Sequence, residues 1–271
     1  MKLIVDSGST KADWRLIHND NSIKEFQTIG LNPFIVKRES IIEAIKNIDL
    51  PLDDIQQLYF YGAGCDNAQK NHWLSQILTS MFKQSKIYVH SDLLASAHAL
   101  LGTKNGTIGI LGTGSNAAFY DGKKINLFTT SLGYLLGDEG SGNALGKKFL
   151  KSILTDKLDV EISSHLNLDK KVILSELYSH PYPNRYLASF SKIIFQFKEH
   201  PQIQSIIYES FNEFIDVYLR PFSKKTISFT GSIAHYYSHE LKACCQNHQI
   251  EILDIIEKPI SALTQFHIEY Q

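Results

Sequence analysis

Residues 3–14 read LIVDSGSTKADW and residues 108–119 read IGILGTGSNAAF. Each stretch runs from an apolar strand into a tight turn of small residues and directly out into a second strand. Small residues at such an apex leave backbone N–H groups and hydroxyls accessible, and these groups can hold the oxygens of a phosphate. Because the arrangement occurs at matching positions in two halves of the chain, the pair favours a ligand site over two ordinary tight turns.

The predicted elements follow the same order around both turns. Each half opens on a meander of three antiparallel strands and continues with helices and further strands, which implies a mixed sheet in each half. A helix-rich stretch from about 140 to 220 interrupts the second half. The predicted strands are 2–6, 12–17, 23–29, 57–64, 86–92, 107–112, 116–122, 123–128, 226–231 and 250–255.

The predicted domains are residues 1–104 and 105–271, with the boundary in the TKNG stretch at 103–106. The final helix, 259–271, is a candidate to pack back on the first domain. Asp66 is predicted to cap a helix over 66–82, and 232–248 is predicted to form one helix.

Composition narrows the function classes. The 271 residues include 27 basic and 28 acidic side chains, so the chain lacks the positive charge expected of a nucleic-acid-binding protein. Three cysteines do not make a disulfide framework. The N-terminus reaches Asp6 too early for a signal peptide, and no apolar run is long enough to cross a membrane. These features predict a cytoplasmic protein without a membrane or nucleic-acid partner.

Six motifs in order extend the picture beyond the two turns. They are VDSGSTK (5–11), SDLLASA (91–97), GILGTGSN (109–116), GYLLGDEGSG (133–142), FTGSIA (229–234) and KPISAL (258–263). Together they resemble the BadF/BadG/BcrA/BcrD ATPase-like family, and within it the N-acetylglucosamine kinases of the actin/Hsp70/sugar-kinase superfamily. The resemblance implies an α/β protein with two RNase H-like domains, each with a mixed sheet, around an ATP cleft.

The resemblance also implies a nucleotide site. The first turn would be the phosphate-1 loop, the second the phosphate-2 loop, and the TGSIA stretch the adenosine loop. An acid at the first apex suits a divalent cation on the phosphates, so Asp6 is the candidate Mg²⁺ ligand. Lys11 could equally point into solvent, and Ala12 stands where the family usually has a hydroxyl. The candidate ATP-binding residues are Asp6, Gly8, Ser9, Thr10, Lys11, Thr113, Gly114, Ser115, Gly231 and Ser232.

Further positions match the family's catalytic and sugar-binding residues. Asp92, at a strand–helix junction, would be the general base, although an N-cap explains an acid there equally well. Asp138 would hold sugar hydroxyls together with Gly114 and Ser115, and capping is again the alternative. Asn32 would contact the sugar, with an Asx turn before Pro33 as the alternative, and Gly64 would face the cleft.

The sequence thus predicts an ATP-dependent amino-sugar kinase, with N-acetylglucosamine phosphorylated at its 6-hydroxyl and a homodimeric assembly. One alternative is an ATPase that activates an iron–sulfur dehydratase or reductase, for which only Cys65 is suggestive. The other is a non-enzymatic nucleotide-dependent clamp or sensor. His235 and His239 have helical metal-pair spacing but no third ligand, which favours a solvated helix face.

Overall fold

The computed structural model describes residues 1–159, 162 and 169–270. The chain forms two compact units. The first contains Met1–Asn105, Tyr120–Ile125 and Lys258–Gln271, and the second contains Gly106–Phe119 and Asn126–Glu257. The final helix therefore belongs to the first unit. So does the hairpin tip at Tyr120–Ile125, which the sequence boundary assigns to the second domain.

The first unit is built on a five-stranded mixed sheet with the order β3-β2-β1-β4-β5. Strand β1 pairs antiparallel with β2 and parallel with β4, so Asp6 lies opposite Asp13 and Ser7 lies opposite Gly62. The strands are β1 (Lys2–Ser7), β2 (Lys11–Ile17), β3 (Ile23–Ile29), β4 (Gln57–Gly62) and β5 (Lys86–Ser91). The helices are α1 (Arg38–Lys46), α2 (Ala68–Met81), α3 (Asp92–Leu101) and, at the C-terminus, α12 (Ile260–Glu269).

The second unit repeats this topology with the order β10-β9-β6-β7-β8. A meander lies on one side of the first strand and two parallel strands lie on the other, as in the first unit. The strands are β6 (Gly106–Leu111), β7 (Ser115–Tyr120), β8 (Ile125–Leu127), β9 (Thr226–Thr230) and β10 (Glu251–Ile256). The predicted α/β fold with two mixed sheets is confirmed.

Helices make up most of the rest of the second unit. Helix α9 continues into a π-helical turn at Ile215–Leu219 and a 3₁₀ turn at Arg220–Phe222. The helices are α4 (Gly133–Leu136), α5 (Gly142–Leu154), α6 (Lys170–Ser179), α7 (Pro183–Ser189), α8 (Ser191–Gln196), α9 (Pro201–Phe214), α10 (Ser232–Tyr236) and α11 (Ser238–Asn247). In the part of the chain that the structure describes, we find no helix with the length and apolarity needed to span a membrane.

Two local predictions were wrong. Residues 232–248 form two helices that break at Tyr237, because the buried Tyr237 side chain donates its hydroxyl to the Ser191 carbonyl and fixes the chain there. Asn67, not Asp66, caps α2, and its side-chain oxygen accepts from the backbone N–H groups of Gln69 and Lys70. The cap residue of a helix must have extended backbone geometry, and it is Asn67 that adopts this geometry at the start of α2.

The C-terminal helix is joined to the sheet of the first unit by an aromatic and imidazole cluster. The Tyr61 hydroxyl lies 3.0 Å from Nδ1 of His98 on α3 and 2.9 Å from Nε2 of His267 on α12. It can therefore donate to one ring and accept from the other. The His98 ring also stacks on Phe266 with centroids 4.1 Å apart. These contacts connect β4, α3 and α12.

This cluster makes the stability of the first unit pH-dependent. Burial, and secondarily the neighbouring His90, lowers the pKa of His98 from 6.5 to about 4. As the pH falls below the unfolded value, the unfolded chain binds a proton that the folded chain does not, so stability is lost through this window. We expect the free energy of unfolding to fall by roughly 2 kcal/mol between neutral pH and about pH 5 through this group.

The measurement is urea unfolding followed by tryptophan fluorescence, because Trp14 and Trp73, the chain's 2 tryptophans, both lie in the first unit. The matched variant is His98→Phe, which keeps an aromatic ring against Phe266 and cannot titrate. Its stability should depend less steeply on pH than that of the native chain. Equal slopes for the two proteins would contradict the prediction.

Candidate functional site

The first turn is held from behind by the segment after β3. The Gly8 N–H donates to the Lys11 carbonyl at 3.0 Å and closes the turn. The Gly30 N–H donates to the Thr10 carbonyl at 2.9 Å, and the Leu31 N–H donates to Oγ of the buried Ser7 at 2.8 Å. A Cβ on Gly30 would lie 2.3 Å from the Gly8 carbonyl oxygen. Sequence reasoning missed Ser7 and Gly30 as supports; the only local signal was a lone glycine after an apolar strand.

Three carboxylates act on one another at the end of β1. Burial, followed by repulsion from Asp92 and Asp13, raises the pKa of Asp6 from 3.8 to about 7, and Lys258 partly opposes this. The Lys258 ammonium lies 3.8 Å from an Asp13 carboxylate oxygen. The structure therefore brings the candidate metal ligand Asp6 and the candidate base Asp92 within electrostatic range. A cation here would relieve the repulsion between them.

Asp92 is the first residue of α3, and the cap is its neighbour. The Ser91 side chain accepts from the Leu94 N–H at 3.4 Å, whereas Asp92 Oδ1 accepts from the N–H of the adjacent Leu93 at 2.9 Å. The interpretation of Asp92 as the N-cap is therefore wrong. An acid in the first turn of a helix is favoured by the helix dipole.

Asn32 and Gly64 lie together in the first unit. Asn32 is 8% exposed, and its Oδ1 accepts from the Phe34 N–H at 2.9 Å, so the Asx turn is present. A Cβ on Gly64 would lie 2.6 Å from that same oxygen. Gly64 follows β4, which pairs with β1, and Asn32 directly follows the Gly30–Leu31 segment that bonds to the first turn, so both lie beside that turn. The Asx turn thus engages the oxygen of the amide.

The second turn is held by the N-terminus of α5. The Gly142 N–H donates to the Gly112 carbonyl at 2.8 Å, and the Asn143 N–H donates to the Thr113 carbonyl at 3.1 Å. The Asn143 side chain donates to the same Thr113 carbonyl at 2.8 Å. These bonds fix the carbonyls of the turn on its inner side. The Gly112 N–H donates to the Gly114 carbonyl within the turn, so the N–H groups of Thr113 and Gly114 are its candidate donors to a ligand.

Asp138 is brought against this turn. Its Oδ1 accepts from the Ser115 N–H at 3.3 Å, and its Oδ2 accepts from the Asn143 side chain at 2.8 Å. A Cβ on Gly114 would lie 2.9 Å from the Asp138 carboxylate. Burial raises the pKa of Asp138, while these hydrogen bonds and the charge of Lys147 oppose the shift.

The capping interpretation of Asp138 is wrong as well. Ser141 caps α5, with its side chain accepting from the Ala144 N–H at 3.3 Å. Asp138 lies three residues earlier, with φ at +61°. Its carboxylate is therefore directed to the second turn rather than to the amides that begin the helix.

Gly231 brings the candidate adenosine loop against the second turn. It has φ at +113°, and a Cβ there would lie 2.3 Å from the Leu111 carbonyl oxygen, at the residue where β6 ends before the second turn. Ser232 is exposed at the first position of α10. The candidate adenosine loop and the second turn are therefore adjacent within one unit.

Other candidates are not drawn into these groupings. Lys11 is exposed at the start of β2, in keeping with the solvent-facing alternative. His235 and His239 are exposed on different helices, and over residues 1–159, 162 and 169–270 no three His, Cys, Asp or Glu side chains are placed to hold a metal. Cys65 is buried, and burial raises the pKa of its thiol, which disfavours the thiolate that an iron–sulfur cluster needs.

The donor set fits Mg²⁺ delivered with a nucleotide. Mg²⁺ keeps several waters and is usually bound through one or two carboxylates plus phosphate oxygens, so a cage of three protein ligands is not required. Asp6 and Asp13 face each other on neighbouring strands, and their repulsion with Asp92 favours a positive charge between them. Asp6 is therefore suited to contact such an ion.

Comparisons with known proteins agree with the fold described above. No protein-family profile matches the chain. The "putative N-acetylglucosamine kinase" of Porphyromonas gingivalis matches with a TM-score of 0.90 and 34% identity, over 100% of this chain and 99% of that one. The glucokinase of the ROK family from Streptomyces griseus, solved with glucose and AMPPNP, matches with a TM-score of 0.58 and 13% identity, over 98% and 97% of the two chains. The second likeness shows the fold alone.

One curated protein adds a sequence match. The N-acetylmuramic acid/N-acetylglucosamine kinase of Clostridium acetobutylicum is 24% identical over 168 residues, which cover 59% of this chain and 55% of that kinase. The match thus spans about half the length of the curated relative.

Proposed function

Because this chain belongs to the N-acetylglucosamine kinase family of ATP-dependent sugar kinases, we propose that it transfers the terminal phosphoryl group of ATP to the 6-hydroxyl of N-acetylglucosamine. The observation that carries the proposal is the match to the Porphyromonas gingivalis chain, which extends over the whole length at 34% identity. The grouping of Asp6 with Asp92 and of Asp138 with the second turn supports it from the residues.

Each turn contributes groups to nucleotide binding in this proposal. Backbone N–H groups of Ser9 and Thr10 in the first turn and of Thr113 and Gly114 in the second donate to phosphate oxygens, and Gly231, which has no side chain, lets the nucleoside approach the backbone closely. Asp6 would hold a Mg²⁺ ion carried by the phosphates, and that ion would supply neutralisation of the charge that develops on transfer. Phosphoryl transfer depends mainly on such positioning and electrostatic stabilisation.

The sugar is held and activated by the side chains of Asp138, Asn32 and Asp92. Asp138 accepts hydrogen bonds from sugar hydroxyls, and Asn32 donates its amide to the sugar. Asp92 accepts the proton of the 6-hydroxyl as its oxygen attacks the γ-phosphorus, and the bond to the bridging oxygen of ADP breaks. At the end of the step Asp92 carries the proton, the sugar oxygen carries the phosphoryl group, and ADP keeps the electron pair of the broken bond.

The test is a coupled assay of ADP release with Mg²⁺ and ATP over a panel of sugars. The panel contains N-acetylglucosamine, N-acetylmuramic acid, glucosamine, glucose, 6-deoxy-N-acetylglucosamine and no sugar. We expect turnover with N-acetylglucosamine and none with its 6-deoxy analogue, because that analogue lacks the accepting hydroxyl. Removing Mg²⁺ with a chelator should abolish turnover. N-acetylmuramic acid tests whether the lactyl group is accepted.

Two outcomes would contradict the proposal. Turnover with the 6-deoxy sugar would place the phosphate at another hydroxyl. ATP hydrolysis that is the same with every sugar and with none would favour the activating ATPase or the nucleotide-dependent clamp. Assembly as a homodimer stays a prediction, which sedimentation of the native chain can check.

A further inference from the structure

Asn143 connects two parts of the proposed site through one amide group. Its Nδ2 donates to the Thr113 carbonyl in the second turn and to Asp138 Oδ2, both at 2.8 Å. The residue is completely buried at the second position of α5. Since an amide nitrogen carries two hydrogens, these two bonds use its full donor capacity.

Asp138 needs such support because its backbone is strained. A φ of +61° is uncommon for a residue with a side chain, and this conformation persists only where the surroundings over-determine it. Asn143 and the Ser115 N–H hold its two carboxylate oxygens separately. The direction of the carboxylate therefore depends on both of these donors.

One helical turn further along α5, Lys147 holds the chain that precedes Asp138. The Lys147 ammonium donates to the Tyr134 carbonyl at 2.7 Å and to the Gly137 carbonyl at 3.5 Å. Residues four apart lie on the same face of a helix, so Asn143 and Lys147 hold Asp138 and the chain before it from one side. The second turn is bound to this same face through the Asn143 N–H and amide.

We propose that Asn143 is a positioning residue that couples nucleotide binding to sugar binding. A nucleotide that orders the second turn also fixes the Thr113 carbonyl. Asn143, which is bonded to that carbonyl, is then fixed as well, and it holds the carboxylate of Asp138, the residue proposed to hold the sugar hydroxyls. A bound sugar orders the turn by the same route, because coupling between two binding sites is reciprocal. The inference rests on the proposed function and adds the residue that links its two ligands.

The experiment measures the affinity for N-acetylglucosamine by calorimetry, with and without AMPPNP and Mg²⁺. In the native chain AMPPNP should tighten sugar binding about fivefold or more. In Asn143→Ala that ratio should return to about one.

KM for the sugar should rise about tenfold or more, because a hydrogen bond to a charged group is lost. Asn212→Ala is the matched control, since it removes an asparagine bonded to His248 in the same unit; its coupling ratio should equal the native one.

A second variant guards against misfolding of the first. Asn143→Asp keeps the shape but, when ionised, donates nothing and repels Asp138; once protonated it regains one donor. Its activity relative to the native chain should therefore rise as the pH falls from about 8 to about 6. A merely structural role predicts a ratio that does not change with pH.

The outcomes separate this inference from the function on which it rests. Native turnover with sugar, combined with an unchanged coupling ratio in Asn143→Ala, or with no coupling in the native chain, overturns the role of Asn143 alone. A flat pH ratio for Asn143→Asp does the same. No native turnover with any sugar overturns the proposed function, and the coupling role is lost with it.

Discussion

Replacing Asp92 by Asn is expected to lower kcat for the sugar about 10³-fold while the affinity for AMPPNP and for the sugar stays near the native value. A positioned general base contributes roughly 10²- to 10⁴-fold to a proton transfer, and an amide cannot accept the proton. The fold should survive, because Ser91 rather than Asp92 caps α3. The substitution also removes one of the repulsions that raise the pKa of Asp6, and it therefore makes the ionised form of Asp6 easier to reach. For this reason Mg²⁺ binding should change only modestly.

The measurement is steady-state kinetics with calorimetric binding on the same protein sample. Asp66→Asn is the matched control, because Asp66 is an exposed acid near the start of another helix and does not serve as its cap. It should retain native kcat and KM. If Asp92→Asn instead raised KM and left kcat unchanged, Asp92 would bind the sugar without accepting its proton.

The second large effect is expected from Gly231→Ala, which should lower the free energy of unfolding by about 3 kcal/mol. The φ of +113° and ψ of 154° lie in a region that only glycine adopts readily. In addition, the new methyl group would meet the Leu111 carbonyl oxygen at 2.3 Å, and backbone cannot move aside as a side chain can. The displaced strand end carries the second turn, so KM for ATP should rise as well.

Gly133→Ala separates the two causes. Gly133 lies in the same unit and also has a positive φ, +67°, but nothing lies within 4 Å of the added methyl group. Only backbone strain remains there, and we expect a cost of about 1 kcal/mol with an unchanged KM for ATP. The measurement is urea unfolding followed by circular dichroism, since the 2 tryptophans both lie in the first unit. Equal costs for the two variants would show that contact with Leu111 contributes nothing.

The repeated order of elements could be predicted because its signals are local. Alternating apolar residues, small turn residues and helical spacing are properties of neighbouring positions, and they occur in both halves. The same reasoning failed where neighbours compete for one role. Ser91 and Asp92 are both good caps, as are Asp66 and Asn67, and the backbone geometry at each residue decides between them.

The supports of the two turns were beyond sequence reasoning. Gly30 carries no chemical group that marks it, and it matters only because the backbone of the first turn passes within contact distance. Asn143 follows a glycine-rich stretch and reads as an ordinary residue at a helix start. Its role depends on two acceptors, Thr113 and Asp138, which lie 30 and 5 residues away along the chain.

The sequence by itself determined the strand–turn–strand repeats, the small residues at their apices and the acids that accompany them, because these follow from residue type and spacing. Only the tertiary structure decided which of these groups meet. Parallel pairing of β1 with β4 and of β6 with β9 joins segments far apart in the chain. Hydrogen bonds act over about 3 Å, so the partners of Asp138 and the neighbours of Asp6 exist only once the sheets and helices have packed.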